Sequence, residues 1–162
     1  KARDDGCTPL YITSEKGHVE VARLLVEAGA DIDKARVDGC TPLYIASQNG
    51  HLDMARLLVE AGGAIDRARD NGATPLYIAS QKGHVDMARL LVEAGADIDK
   101  AKGNGATPLY IASQQGHKEV VKALLNLGAD ATLATTGGIT PLQTAKDNNH
   151  LEIVALLEAA FL

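Results

Sequence analysis

The stretch from Gly39 to Asp66, GCTPLYIASQNGHLDMARLLVEAGGAID, holds two helix signals with a stop between them. Thr41 brings a hydroxyl that can cap a helix, and Pro42 at the first helical position lacks an amide proton that would be unbonded there anyway. A first helix is therefore predicted through Leu43, Tyr44, Ile45, Ala46 and Ser47 as far as Gly50, whose tolerance of positive φ lets the backbone turn away. A second helix follows from His51 or Leu52. In it Asp53, Arg56 and Glu60 line one narrow stripe while Leu52, Met54, Ala55, Leu57, Leu58 and Val59 cover the rest, so most of it must be buried. Gly62 ends it, and the chain runs through Ile65 and Asp66 to Asn71-Gly72, read as a tight turn with two positive φ values. Asp5-Gly6, Asp38-Gly39 and Asn104-Gly105 repeat that signal.

The same unit recurs along the whole chain. Proline stands at Pro9, Pro42, Pro75, Pro108 and Pro141, each 33 residues after the last, with threonine before, leucine after, and a histidine in constant phase at His18, His51, His84, His117 and His150. Fixed self-similarity of this length marks a repeat array, here units of about 1–33, 34–66, 67–99, 100–132 and 133–162 within one domain. A unit this small cannot bury its own apolar surface, since domains below about 40 residues usually need metals, disulfides or partners. The partner is the next unit, and stability becomes a sum of nearest-neighbour contacts. The expected body is a curved rod about 50 Å long, at roughly 10 Å per layer.

Composition narrows the function classes. The 162 residues are 46% hydrophobic, so the chain should fold, but it has no Trp and one Phe, Phe161, so the core is Leu, Val, Ile and Ala. No stretch approaches the roughly 20 apolar residues that cross a bilayer, and no charged-then-apolar leader opens the chain. It reads as soluble and monomeric, with no membrane association. The net charge of −5 argues against nucleic acid as a partner. Cys7 and Cys40 hold the same position in neighbouring units, too far apart for a bridge, so two free thiols and an intracellular, cytoplasmic setting are expected. The start at Lys1, mid-pattern and without Met, suggests a fragment or an engineered chain.

The Gly39–Asp66 string resembles the ankyrin repeat, whose motif is a turn followed by a TPLHxA helix. The resemblance covers the chain, because Thr, Pro, Leu, the Gly-His pair, the paired Leu and the terminal Gly recur in phase. It implies an all-α solenoid of stacked helix-turn-helix units joined by β-hairpin-like turns, with turn tips and first helices forming a concave, protein-binding surface. It implies no catalysis and no cofactor. Two departures stand out. Tyr11, Tyr44, Tyr77 and Tyr110 replace the usual His, which puts a familiar side-chain hydrogen bond in doubt. Arg3, Arg36, Arg69 and Lys102 stand where Asp is common, and with Lys1, Lys34, Arg67 and Lys100 they form a basic ladder holding half of the chain's 16 Lys and Arg residues.

The ends differ. The last unit carries Gln143, Thr144 and Lys146 in place of Tyr, Ile and Ser, puts Asn149 where Gly50 stands, and finishes on Glu158, Phe161 and Leu162, a polar cap. The first keeps Leu10, Tyr11, Ile12, Val19, Val21, Leu24 and Leu25, as though another unit should cover it, and is expected to fray.

Chemical sites are weak by comparison. The five histidines sit one per unit, too dispersed to share a zinc, and are read as bonding loop backbone. Ser47 lies four residues before His51, as Ser14, Ser80 and Ser113 lie before theirs, but several copies of a hydrolase site are implausible and no nucleophile elbow, phosphate loop or HExxH accompanies them. Asp31 and Asp33 lack the later ligands of a calcium loop. The basic ladder has two readings: local pairing with Asp31, Asp33, Asp66, Asp97 and Asp99, or spaced cations offered to an acidic protein face.

Positions that vary between units mark a candidate binding face, because a framework repeats and a binding surface need not. These are Asp4, Val37, Asp70, Gly103 and Thr136; Asp5, Asp38, Asn71, Asn104 and Gly137; and Lys16, Asn49, Lys82, Gln115 and Asn148. The partner-contacting set expected from them is Arg36, Val37, Asp38, Cys40, Gln48, Asn49, Arg69, Asp70, Asn71, Gln81, Lys82, Lys102, Asn104, Gln114 and Gln115. The alternative is an idealised or engineered scaffold with no natural partner, suggested by the likeness of successive units.

Overall fold

The computed structural model of the chain describes residues 5–160. Ten α-helices run through them as five pairs: α1 (Pro9–Lys16) with α2 (Val19–Glu27), α3 (Pro42–Asn49) with α4 (Leu52–Glu60), α5 (Pro75–Lys82) with α6 (Val85–Glu93), α7 (Pro108–Gln115) with α8 (Lys118–Asn126), and α9 (Pro141–Asp147) with α10 (Leu151–Ala159). No strand occurs among the described residues. Each first helix starts as expected: the Thr41 hydroxyl accepts the Tyr44 N–H at 3.1 Å, Pro42 follows, and Gly50 closes the helix at φ 72°. The same cap recurs at Thr8, Thr74, Thr107 and Thr140.

The turns between pairs correct one expectation. In Asn71-Gly72 only the glycine has positive φ, at 82°. Gly72 N–H donates to the Arg69 carbonyl at 2.8 Å, and Arg69 N–H to that of Ala73 at 2.9 Å, which is the bonding of a turn closed by a left-handed glycine. Asn71 serves otherwise: its Oδ1 accepts the Ala73 N–H at 3.0 Å. Asp5, Asp38 and Asn104 repeat that bond to the residue two places on. A short side-chain oxygen at this position, rather than tolerance of positive φ, explains why Asp and Asn alternate there.

Two apolar layers result. One lies between inner and outer helices and is continuous through the stack, built from residues such as Leu43, Met54, Leu58, Leu76, Leu91, Leu109 and Leu124. The other lies between the inner helices and the turns, holding Cys7, Tyr11, Cys40, Tyr44, Ile45, Ala73, Tyr77, Ile78, Ala106, Tyr110 and Ile111. Helix contacts run within a pair and between successive pairs, α1 to α3, α3 to α5, α5 to α7 and α7 to α9, with the outer helices stacked likewise. That is the solenoid geometry expected from a unit without its own interior.

The amino-terminal pair shows what stacking supplies. Val21 and Leu24 are 49% and 66% exposed, whereas Met54 and Leu57, one period later, are 0% and 8% exposed. Amide hydrogen exchange should therefore find α1 and α2 less protected than α5 and α6; equal protection over Leu10–Leu25 and Leu76–Leu91 would refute the fraying of this end. At the other end Lys146 pairs with Glu158 at 2.8 Å and Gln143 donates to Asp147 at 2.7 Å, so the last inner helix presents polar side chains. Phe161 and Leu162 lie outside the described residues.

Candidate functional site

The turn tips form a row linked through backbone at three of its four junctions. Val37 N–H donates to the Asp5 carbonyl at 3.2 Å, Asp70 N–H to that of Asp38 at 3.2 Å, and Thr136 N–H to that of Asn104 at 2.9 Å. Beneath the tips lie the four tyrosines, all buried.

Three residues of the ladder reach back to the unit before their own, and two of them cover a tyrosine there. The Arg36 guanidinium lies 5.5 Å from the centre of the Tyr11 ring and donates to its hydroxyl at 3.4 Å. Lys102 lies 5.8 Å from the centre of the Tyr77 ring. Arg69 donates to Asp38 Oδ2 at 2.7 Å. Burial pushes the Tyr11, Tyr44 and Tyr77 hydroxyls above the ordinary tyrosine range, so they remain neutral donors. The Tyr11 hydroxyl donates to Cys40 Sγ at 3.6 Å.

Local pairing of the ladder is thus real but with other partners than expected. Among the described residues Asp31, Asp33, Asp66, Asp97 and Asp99 form no ion pair; Asp38 does, with Arg36 at 3.9 Å and Arg69 at 2.7 Å. Asp33, Asp66 and Asp99 instead accept the backbone N–H of Ala64, Asp97 and Asp130. Lys34, Arg67 and Lys100 are exposed and form no ion pair among the described residues. Lys1, Arg3 and Asp4 lie outside the described residues.

Asp38 carries a pH signature. Burial opposes its ionisation, but the Cys40 N–H and the Arg36 and Arg69 guanidiniums outweigh that and hold the carboxyl below its usual range. A depressed folded value means the ionised acid stabilises the fold above its unfolded pKa of about 3.9, and that contribution disappears as pH falls through the lower folded value. Asp38→Asn should lower stability near neutral pH by no more than about 1 kcal/mol. It should match the parent in strong acid, as urea unfolding at both pH values would read.

The histidines join units. His51, His84, His117 and His150 place Nε2 at 3.0, 3.1, 2.9 and 3.1 Å from the carbonyls of Glu15, Gln48, Gln81 and Gln114 at the end of the preceding inner helix. A carbonyl only accepts, so Nε2 carries the proton. These four histidines bond backbone, but in a helix of the preceding unit and not in the adjoining loop as expected. Ser14, Ser47 and Ser113 donate to the carbonyl one helical turn back at 2.7 Å and are fully buried. Cys40 forms no disulfide, and burial pushes its thiol up.

Among the candidate contact residues, Val37, Asn49, Asp70, Asn71, Lys82, Asn104 and Gln115 are exposed. Arg36, Asp38, Gln48, Arg69, Gln81, Lys102 and Gln114 are half-buried. Cys40, 3% exposed, belongs to the layer under the tips. The tyrosine-cation contacts were not foreseen; the constant offset of 25 residues from Tyr11 to Arg36 and Tyr77 to Lys102 is the sequence signal that could have found them.

No helix among the described residues is long and apolar enough to cross a membrane. No curated protein matches the chain. The family described as "Ankyrin repeats (3 copies)" matches residues 1–69, 33–102, 63–135 and 99–160. These overlapping matches take in nearly every residue, and with the capped helix pairs and their head-to-tail stacking they show that the chain belongs to the ankyrin-repeat family, whose members are protein-interaction modules.

Proposed function

We propose that the chain is a non-catalytic module that grips a protein through the row of turn tips and the adjoining ends of the inner helices. One observation carries this reading. Most positions that vary between units, among them Val37, Asp70, Gly103 and Thr136 at the tips and Lys16, Asn49, Lys82, Gln115 and Asn148 at the helix ends, are exposed, with Asp5 and Asp38 half-buried, while the repeated Thr, Leu and Tyr beside them in the inner units are buried. At these positions variation changes a surface and leaves the stack intact. Tips tied together by backbone bonds are preorganised, which reduces the ordering cost of binding. An acidic partner would meet Lys34, Arg67 and Lys100 more readily than the cations already engaged by tyrosines. An intracellular setting suits Cys40, which is buried and forms no disulfide.

Capture of proteins by the immobilised chain tests this, with Val37→Arg, Asp70→Arg and Asn104→Arg combined in one variant and Arg56→Glu with Arg89→Glu on the outer helices as control. Loss of a captured protein in the tip variant alone supports the reading; loss in the outer-helix variant alone, or in neither, rejects it. The scaffold alternative, favoured by the near identity of α5 and α7, is supported if nothing is captured.

A further inference from the structure

Gln48, Gln81 and Gln114 occupy the same turn of successive inner helices, four residues after Tyr44, Tyr77 and Tyr110 and hence on the same face. All three are half-buried. Among the described residues the side-chain amides of Gln48 and Gln81 take no hydrogen bond, and that of Gln114 only reaches the Tyr110 hydroxyl at 3.5 Å, the limit of a contact. Their backbones are fixed, because the carbonyls of the same three residues accept His84, His117 and His150 at 3.1, 2.9 and 3.1 Å. The result is a rigid file of primary amides, one per unit, each offering donors and an acceptor.

We infer, on the basis of the binding reading above, that this file reads the main chain of an extended, uncharged segment of a protein partner. Packed helices repeat at roughly 10 Å, and three residues of extended chain also span about 10 Å at 3.2–3.4 Å per residue. Each amide therefore meets the same peptide group at every third residue. A side-chain amide can donate to a peptide carbonyl and accept from a peptide N–H together, a match that a lysine or a carboxylate cannot make. The cations beside the file have partners within the chain: Arg36 lies over Tyr11, Lys102 over Tyr77, and Arg69 pairs with Asp38. Selection among partner side chains falls to the varied neighbours Asn49, Lys82 and Gln115 and to the tips.

The test pans the intact chain against phage-displayed random peptides of about a dozen residues, long enough to span the array. Selected peptides are then measured against Gln48→Met, Gln81→Met and Gln114→Met in combination, a swap that keeps length and removes the amides. The expected result is selected binders, an affinity loss of about 100-fold in the triple variant with an unchanged melting temperature, and a comparable loss when the peptide's backbone nitrogens are methylated at three-residue intervals. Failure to select any peptide, or peptides indifferent to the triple variant or to methylation, overturns the inference. If a captured protein still depends on the tips in that case, the binding reading survives and only the extended-segment assignment falls.

Discussion

Gly83→Ala is expected to lower the unfolding free energy by about 2–4 kcal/mol, and Gly95→Ala by only about 1–2 kcal/mol. Both glycines lie in the left-handed region, at φ 78° and 98°. They differ in surroundings. A methyl group on Gly83 would stand 2.7 Å from Nδ1 and 2.9 Å from Cε1 of the His117 ring, while one on Gly95 would meet nothing within 4 Å. Accommodating the methyl group means displacing His117 from the Gln81 carbonyl it bonds at 2.9 Å, so the two units loosen together. Asn149 shows the converse. It has φ 59°, the one positive value outside glycine among the described residues, and no later histidine packs on it. Urea unfolding of the two variants reads the difference; equal losses would mean that the histidine contact contributes nothing.

Leu57→Ala should destabilise the fold by about 2–5 kcal/mol, and Leu24→Ala by less than about 0.5 kcal/mol. The two leucines hold the same place in the same helix of consecutive units, and local sequence barely distinguishes them. Leu57 is 8% exposed because α2 packs against α4; Leu24 is 66% exposed because no described helix precedes it. Burial therefore comes from the neighbour, and the measured asymmetry is the contribution of one neighbour at one position. Thermal and urea unfolding would both register it.

Whatever depends on a few adjacent residues was legible in the chain. Thr-Pro caps, the glycine stop after Asn49 and the stripe of Asp53, Arg56 and Glu60 are local rules, and α3 and α4 obey them. Contacts between units were less so. The sequence places Tyr11 and Arg36 in separate repeats, and only the stacked backbone brings the guanidinium over the ring at 5.5 Å. His51 was rightly assigned to backbone, but its acceptor is Glu15, 36 residues away. Asn71-Gly72 admitted two turn geometries, and the bond from Ala73 N–H to Asn71 Oδ1 selects the one with a single positive φ. At the candidate surface, many positions that vary between units are exposed, but Asp38 is half-buried and Cys40 shows that a residue can vary beneath the surface as well.

Dependence of each helix pair on its neighbours is tested most directly by far-ultraviolet circular dichroism of the excised segment 67–99. Helices of eight and nine residues, α5 and α6, are too short to persist alone in water, so the spectrum should be that of an unfolded chain with no cooperative melt. A helical spectrum with a sharp thermal transition would show that one pair holds an interior of its own.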